Sequence, residues 1–75
     1  MGVTVYTKNN CVQCVRTKKK LKAQNIEFSE VNIEESPAAY DFITQDLGYK
    51  SAPVVCLEDG SHWAGYQPEK ISEIR

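Results

Sequence analysis

Two cysteines stand three residues apart, Cys11-Val12-Gln13-Cys14, just after a β-branched and aromatic run and a polar Lys8-Asn9-Asn10 turn. At a helix start this spacing can bring the Cα atoms within the ~4.4–6.8 Å that a disulfide requires, so the pair can close and open with little backbone movement. So short a loop restrains the unfolded chain little, which makes a reversible bridge a better explanation than a structural staple. Free N–H groups and the positive end of the helix dipole favour a thiolate there, and the first cysteine precedes the helical turn. Cys11 is the expected nucleophile, with Lys8 adding positive charge nearby. Cys14, one turn in and partly covered, is the expected resolving thiol. Half of a zinc site and an inert pair are the competing readings. Zinc takes four ligands, and beyond the pair only Cys56 and His62 offer sulfur or imidazole, with no second closely spaced pair. The hand-over from strand to helix favours the redox reading, with no metal held.

Two further segments bear on this chemistry. Ser51-Ala52-Pro53-Val54-Val55 puts a proline at a strand start. In a cis peptide facing the cysteines, the backbone of Ala52 is left to hydrogen-bond an incoming extended peptide and align its sulfur; a trans proline merely starts the strand. His62-Trp63-Ala64-Gly65-Tyr66-Gln67-Pro68 is the densest aromatic segment; on the plain structural reading Trp63 is core or half-buried strand and His62 a surface residue. Cys56, in the apolar run Val54-Val55-Cys56-Leu57, is expected to be a buried core residue.

The elements that must position these residues follow from periodicity. Val3–Thr7 reads as a strand, Cys11 to about Gln24 as a helix with a narrow apolar stripe, and Asn25 as its left-handed cap. Glu27–Ile33 alternates as a second strand turning Phe28, then Val31 or Ile33, inward. Ser36 and Pro37 open a second helix with Ala39, Tyr40, Ile43 and Leu47 along its stripe and Gly48 as its stop. Asp59-Gly60 predicts a tight hairpin turn between strands 54–57 and 61–65, and Pro68, Ile71 and Ile74 a last helix. The order βαβαββα implies a parallel pair with a right-handed crossover followed by antiparallel strands. The fold expected is α/β, a mixed four-stranded sheet with helices on both faces, as one domain over residues 1–75.

With 41% hydrophobic and 25% charged residues in 75, the chain is no disordered tail, and its thin core leaves chemistry at the surface. No run suits a membrane span or signal peptide, and Tyr6 occupies the Ser/Thr position of an acylation signal beginning Met1-Gly2, so a cytoplasmic location is expected. Residues 1–26 carry a charge of +6 and residues 27–75 carry −7. Without interleaved aromatics, and with an isoelectric point near 5.7, the basic end suits an acidic protein surface better than nucleic acid, unless its lysines are simply a solvated helix face.

Val-Tyr-Thr-Lys at 5–8, Cys-Val-Gln-Cys at 11–14, Ala-Pro-Val-Val at 52–55 and the segment 62–68 together resemble the glutaredoxin-like proteins of the thioredoxin superfamily, most closely the NrdH redoxins. The resemblance implies a thioredoxin fold and a disulfide reductase with a redox Cys11–Cys14 pair and no bound cofactor. It implies electrons from NADPH through thioredoxin reductase, and the large subunit of class Ib ribonucleotide reductase as client. Ala52 and Pro53 would align the substrate, and Lys8, Val12, Gln13, His62, Trp63, Gly65 and Tyr66 would form the docking surface of a monomer. Glutaredoxins that bind glutathione usually carry Gly-Gly before the last helix; here Tyr66 follows Gly65 and would crowd that site. A glutathione-dependent glutaredoxin and a metal or iron-sulfur carrier using the same cysteines are the alternatives. Asn9 replaces a common proline, Ala64 a serine and Gln67 an arginine, removing a hydroxyl and a charge from the last segment.

Overall fold

Strands and helices follow the order βαβαββα in the computed structural model, which describes residues 2–74; Met1, where the rejected acylation motif begins, and Arg75 lie outside it. The strands are β1 (Thr4–Thr7), β2 (Ser29–Asn32), β3 (Val54–Cys56) and β4 (His62–Ala64). The helices are α1 (Val12–Ala23), α2 (Pro37–Asp41) and α3 (Pro68–Ser72). The sheet order is β2-β1-β3-β4, with β1 and β2 parallel and the other pairs antiparallel, the mixed sheet expected from the element order.

Local chemistry sets the helix ends. Cys11, in extended conformation, caps α1, and Lys20 and Lys22 occupy its last turn, at the negative end of the dipole. The stripe is as narrow as the sequence suggests, with Cys14, Thr17 and Leu21 buried. Asn25 takes the expected left-handed conformation at φ +60°, and the Ile26 N–H reaches back to the Leu21 carbonyl at 3.0 Å. Ser36 Oγ accepts from the Ala39 N–H at 3.3 Å, and Pro37 opens α2 as predicted.

Apolar residues cover the sheet on both faces. Val3, Val5, Val55 and Trp63 pack with Leu21 of α1 and Ile71 of α3, while Ile33 and Val54 pack with Ala39 and Ile43 on the other side. This resolves the second strand. Phe28 leans on the first cluster, whereas Val31 and Ile33 belong to the second, because a strand covered on both faces has two inward directions.

Three expectations need correction. Beyond Asp41 the second helix widens into a π-helical turn over Phe42–Asp46, with the Leu47 N–H bonded to the Phe42 carbonyl at 3.1 Å. Phe42, its ring 5.8 Å from Tyr6, joins the core there, and Tyr40 stays exposed. The hairpin does not turn on a two-residue Asp-Gly loop. The Leu57 N–H donates to the Ser61 carbonyl at 2.8 Å, and the Gly60 N–H donates to the Leu57 carbonyl at 3.1 Å. This encloses three loop residues with Gly60 last at φ +94°, a conformation that glycine adopts without a steric cost. Cys56, finally, is half-buried, at the end of β3.

Candidate redox site

A disulfide joins Cys11 to Cys14, whose Cα atoms are 5.2 Å apart. Its two sulfurs are not equivalent. Cys11 is half-buried at the cap, where its Sγ accepts from the Cys14 N–H at 3.1 Å, whereas Cys14 is 2% exposed beneath the first helical turn. An incoming sulfur therefore has access to Cys11, and an amide of the helix N-terminus already points at that atom.

The tertiary structure brings two distant segments to this disulfide. Ala52–Pro53 is cis, and Pro53 is buried at the start of β3. Among the described residues neither the N–H nor the carbonyl of Ala52 has a hydrogen-bond partner. The Pro53 carbonyl accepts from the Gly65 N–H at 2.7 Å, and the neighbouring Tyr66 N–H donates to Gln13 Oε1 at 3.2 Å. Gly65 sits at φ +82°, and a Cβ there would meet Gln13 Oε1 at 3.6 Å, so space is available and conformation is what glycine supplies. Gln13 thus links the CxxC turn to the segment after β4, and Gly65 links that segment to Pro53.

On the other side of the disulfide, Lys8, Asn10, Val12 and Val15 line an open cleft shared with Cys11 and Cys14. Its floor holds an arrangement that the sequence did not disclose. Buried Thr7 donates through Oγ1 to Glu30 Oε2 at 3.0 Å, and Lys18 Nζ reaches the same oxygen at 3.0 Å. The Lys18 hydrogen bond, helped by Thr7, holds the Glu30 carboxyl below the usual range. Only the parallel register, Val5 opposite Glu30 and Thr7 opposite Asn32, places these three on one face; no local spacing signals it.

Two expected docking residues are elsewhere. Trp63 is 6% exposed, covered by α3, with Lys70 Nζ 5.9 Å from its ring centre, so it is core and offers a partner little surface. His62 is exposed but lies two residues down β4 from Ala64, opposite Cys56, where its Nδ1 bonds the Tyr49 hydroxyl at 2.8 Å. Alternation turns it to the face opposite Trp63, away from α1. Tyr66 packs its side chain against the Trp63 cluster, leaving its backbone at the rim. Val12 and Gln13 are exposed, and Lys8 is half-buried beside Cys11.

Cys56 sits opposite Thr4, at the end of β1 away from Cys11, and burial pushes its thiol up. The four candidate zinc ligands are therefore not brought together, and among the described residues no group of three or more His, Cys, Asp or Glu is placed to hold a metal ion. No helix of the described residues is long and apolar enough to cross a membrane.

The departures at 9, 64 and 67 keep local bonds. Asn9 supplies an N–H that proline lacks, donating to Glu34 Oε1 at 3.3 Å, and its Oδ1 accepts from Asn32 Nδ2 at 2.9 Å. Gln67 Nε2 donates to the Ala64 carbonyl at 2.9 Å, so the 64–67 turn is closed by an amide.

A four-stranded thioredoxin fold whose first helix is capped by an accessible cysteine in disulfide with a buried one defines a thiol-disulfide oxidoreductase. The glutaredoxin family profile matches residues 3–63. The glutaredoxin-like protein NrdH of Salmonella typhimurium is 39% identical over 99% of this chain and 89% of its own length; that of Lactococcus lactis is 38% identical over 96% and 97%. The solved structure of the Escherichia coli NrdH-redoxin, described for a thioredoxin-like activity profile, superposes with a TM-score of 0.91 at 32% identity, covering 100% of this chain and 96% of that one. The chain belongs to the glutaredoxin family, in its NrdH-redoxin branch.

Proposed function

We infer that the chain carries electrons as a protein dithiol, from NADPH through thioredoxin reductase to the large subunit of a class Ib ribonucleotide reductase, as a cytoplasmic monomer of one domain. The observation that carries the reductant role is the asymmetry of the disulfide, with Cys11 reachable and Cys14 2% exposed. In the reduced protein the Cys11 thiolate attacks a client disulfide. One client sulfur leaves and takes a proton, and the other is held in a mixed disulfide. Cys14 then attacks Cys11 Sγ, its proton is lost, and the second client sulfur departs to be protonated. Two electrons and two protons reach the client, and Cys11–Cys14 is closed again.

The unpartnered backbone of Ala52, next to buried Pro53, supports substrate alignment: an extended client segment can add main-chain hydrogen bonds there. Lys8, Val12, Gln13, Gly65 and the backbone of Tyr66 make up the rim that meets a partner. The choice of thioredoxin reductase over glutathione is supported by the rim itself. The Gly65 and Tyr66 N–H groups are already taken, by the Pro53 carbonyl and Gln13 Oε1, so neither is open to a small carboxylate ligand. Kinship with a redoxin described for a thioredoxin-like activity profile supports the same choice.

The test is NADPH oxidation with a protein disulfide substrate, comparing thioredoxin reductase with glutathione plus glutathione reductase as electron source. Turnover with thioredoxin reductase alone is expected, with ribonucleotide reductase as the next substrate. Turnover with glutathione alone would move the chain to the glutathione-dependent glutaredoxins. Failure with both would bring a metal-carrying role forward.

A further inference from the structure

Among the described residues, no other element covers the outer face of helix α1. Cys14, Thr17 and Leu21 mark its buried side. On the opposite side, at helical spacing, stand Val12, Val15, Arg16, Lys19 and Lys22, all exposed, with Val12 at 67% and Val15 at 44%. The two valines line the cleft that contains Cys11 and Cys14, and the cations continue the stripe away from it. Lys18, the one α1 cation in an ion pair among the described residues, lies to the side, against Glu30. No acid occurs anywhere in residues 1–26. The capping of α1 calls for cations only near its C-terminus, so dipole compensation accounts for Lys20 and Lys22 but not for Arg16.

We propose that this outer face of α1 is the docking track for an acidic, extended segment of the client, with an apolar residue beside the client cysteine seated on Val12 and Val15 and carboxylates following onto Arg16 and Lys19. The inference rests on the redox reading above and adds the chemistry of the partner. The valines exclude water next to the exchanging sulfurs. The cations lie beyond the reaction centre, where they raise encounter rate and select against basic partners. Acidic character is required because a neutral or basic segment would leave Arg16 and Lys19 with no gain over water.

The experiment uses the reduced full chain and disulfide-linked dimers of synthetic peptides, each cysteine flanked by a leucine and by four glutamates, four glutamines or four lysines, on either side in separate series. Dithiol and peptide disulfide are converted to protein disulfide and two peptide thiols, so no other reductant is needed. Rates are followed by quenching and chromatography and normalised to those with dithiothreitol, which removes each peptide's intrinsic reactivity. The acidic peptide is expected to react about fivefold or more faster than the glutamine peptide at low ionic strength, the lysine peptide slowest, with the spread collapsing in high salt. In the double variant Arg16→Glu, Lys19→Glu the ratio of acidic to neutral rates falls to one or below.

Equal normalised rates for all peptides, or a preference untouched by the double variant, would overturn the docking track while leaving the reductase reading standing. Failure to reduce any peptide would overturn both. A rise in apparent mass of the chain at low salt that the double variant abolishes would assign the face to a second copy and overturn the client assignment.

Discussion

The Tyr66 N–H donates to Gln13 Oε1 at 3.2 Å, tying the middle of the CxxC turn to a backbone group 53 residues further along the chain. Because Gly65 is bonded in turn to the Pro53 carbonyl, the CxxC turn, the cis-proline turn and the segment between β4 and α3 form one hydrogen-bonded rim. The Gln13 side chain is thus one of the links in this rim.

Replacing Gln13 with leucine removes the acceptor at similar size. The Tyr66 amide is expected to exchange with solvent about tenfold faster, and stability to fall by no more than about 1 kcal/mol, as for a single exposed hydrogen bond. Gln13→Glu, which keeps an acceptor, should restore the protection. Amide exchange followed by NMR, alongside urea denaturation, checks both; unchanged exchange in the leucine variant would remove the link.

The asymmetric burial of the cysteines supports the proposed order in which they act. Cys11→Ser is expected to abolish disulfide reduction. Cys14→Ser should still attack once and accumulate mixed disulfides, visible as a mass increase that dithiothreitol reverses. Equal residual activity in the two variants would contradict the order.

Glu30 gives stability a pH dependence. Its carboxyl is held low chiefly by the Lys18 hydrogen bond, with help from Thr7, so the folded chain binds the proton less tightly than the unfolded one. The contribution is complete above the ordinary glutamate value of about 4.3 and is lost as the pH falls through the lower, folded value. With the Glu30 side chain 41% exposed, the pair contributes under about 1 kcal/mol. Denaturation of wild type and Glu30→Gln should differ by that amount at pH 7 and converge as the pH falls below the folded value. A gap that widens in acid would refute the sign.

Cys56 should be chemically quiet. Burial raises its thiol, and its place opposite Thr4 is remote from Cys11. After reduction, iodoacetamide at neutral pH is expected to label Cys11 well before Cys56, as peptide mapping would show, and Cys56→Ala should retain full reductase activity. Faster labelling of Cys56 would reverse this reading.

Whatever depends on neighbours along the chain is readable from the residues alone. The place of Cys11 ahead of the first helical turn, the narrow stripe of α1, the left-handed Asn25, the Ser36-Pro37 helix start, and the parallel first pair and antiparallel hairpin implied by βαβαββα are all local or nearest-element effects, and each is found in place. The redox pair was legible for the same reason, since its chemistry lies within one helical turn. Tertiary packing decided the rest. It chose which face of the sheet receives Phe28 and which receives Ile33, put Phe42 and not Tyr40 into the core, and buried Trp63 while turning His62 away from the site. It also joined Thr7, Lys18 and Glu30, and Gln13 and Tyr66, through contacts whose partners are 12 to 53 residues apart. Hydrogen bonds over such separations form only once strand register and helix docking have fixed both partners, and no periodicity of a single segment encodes that.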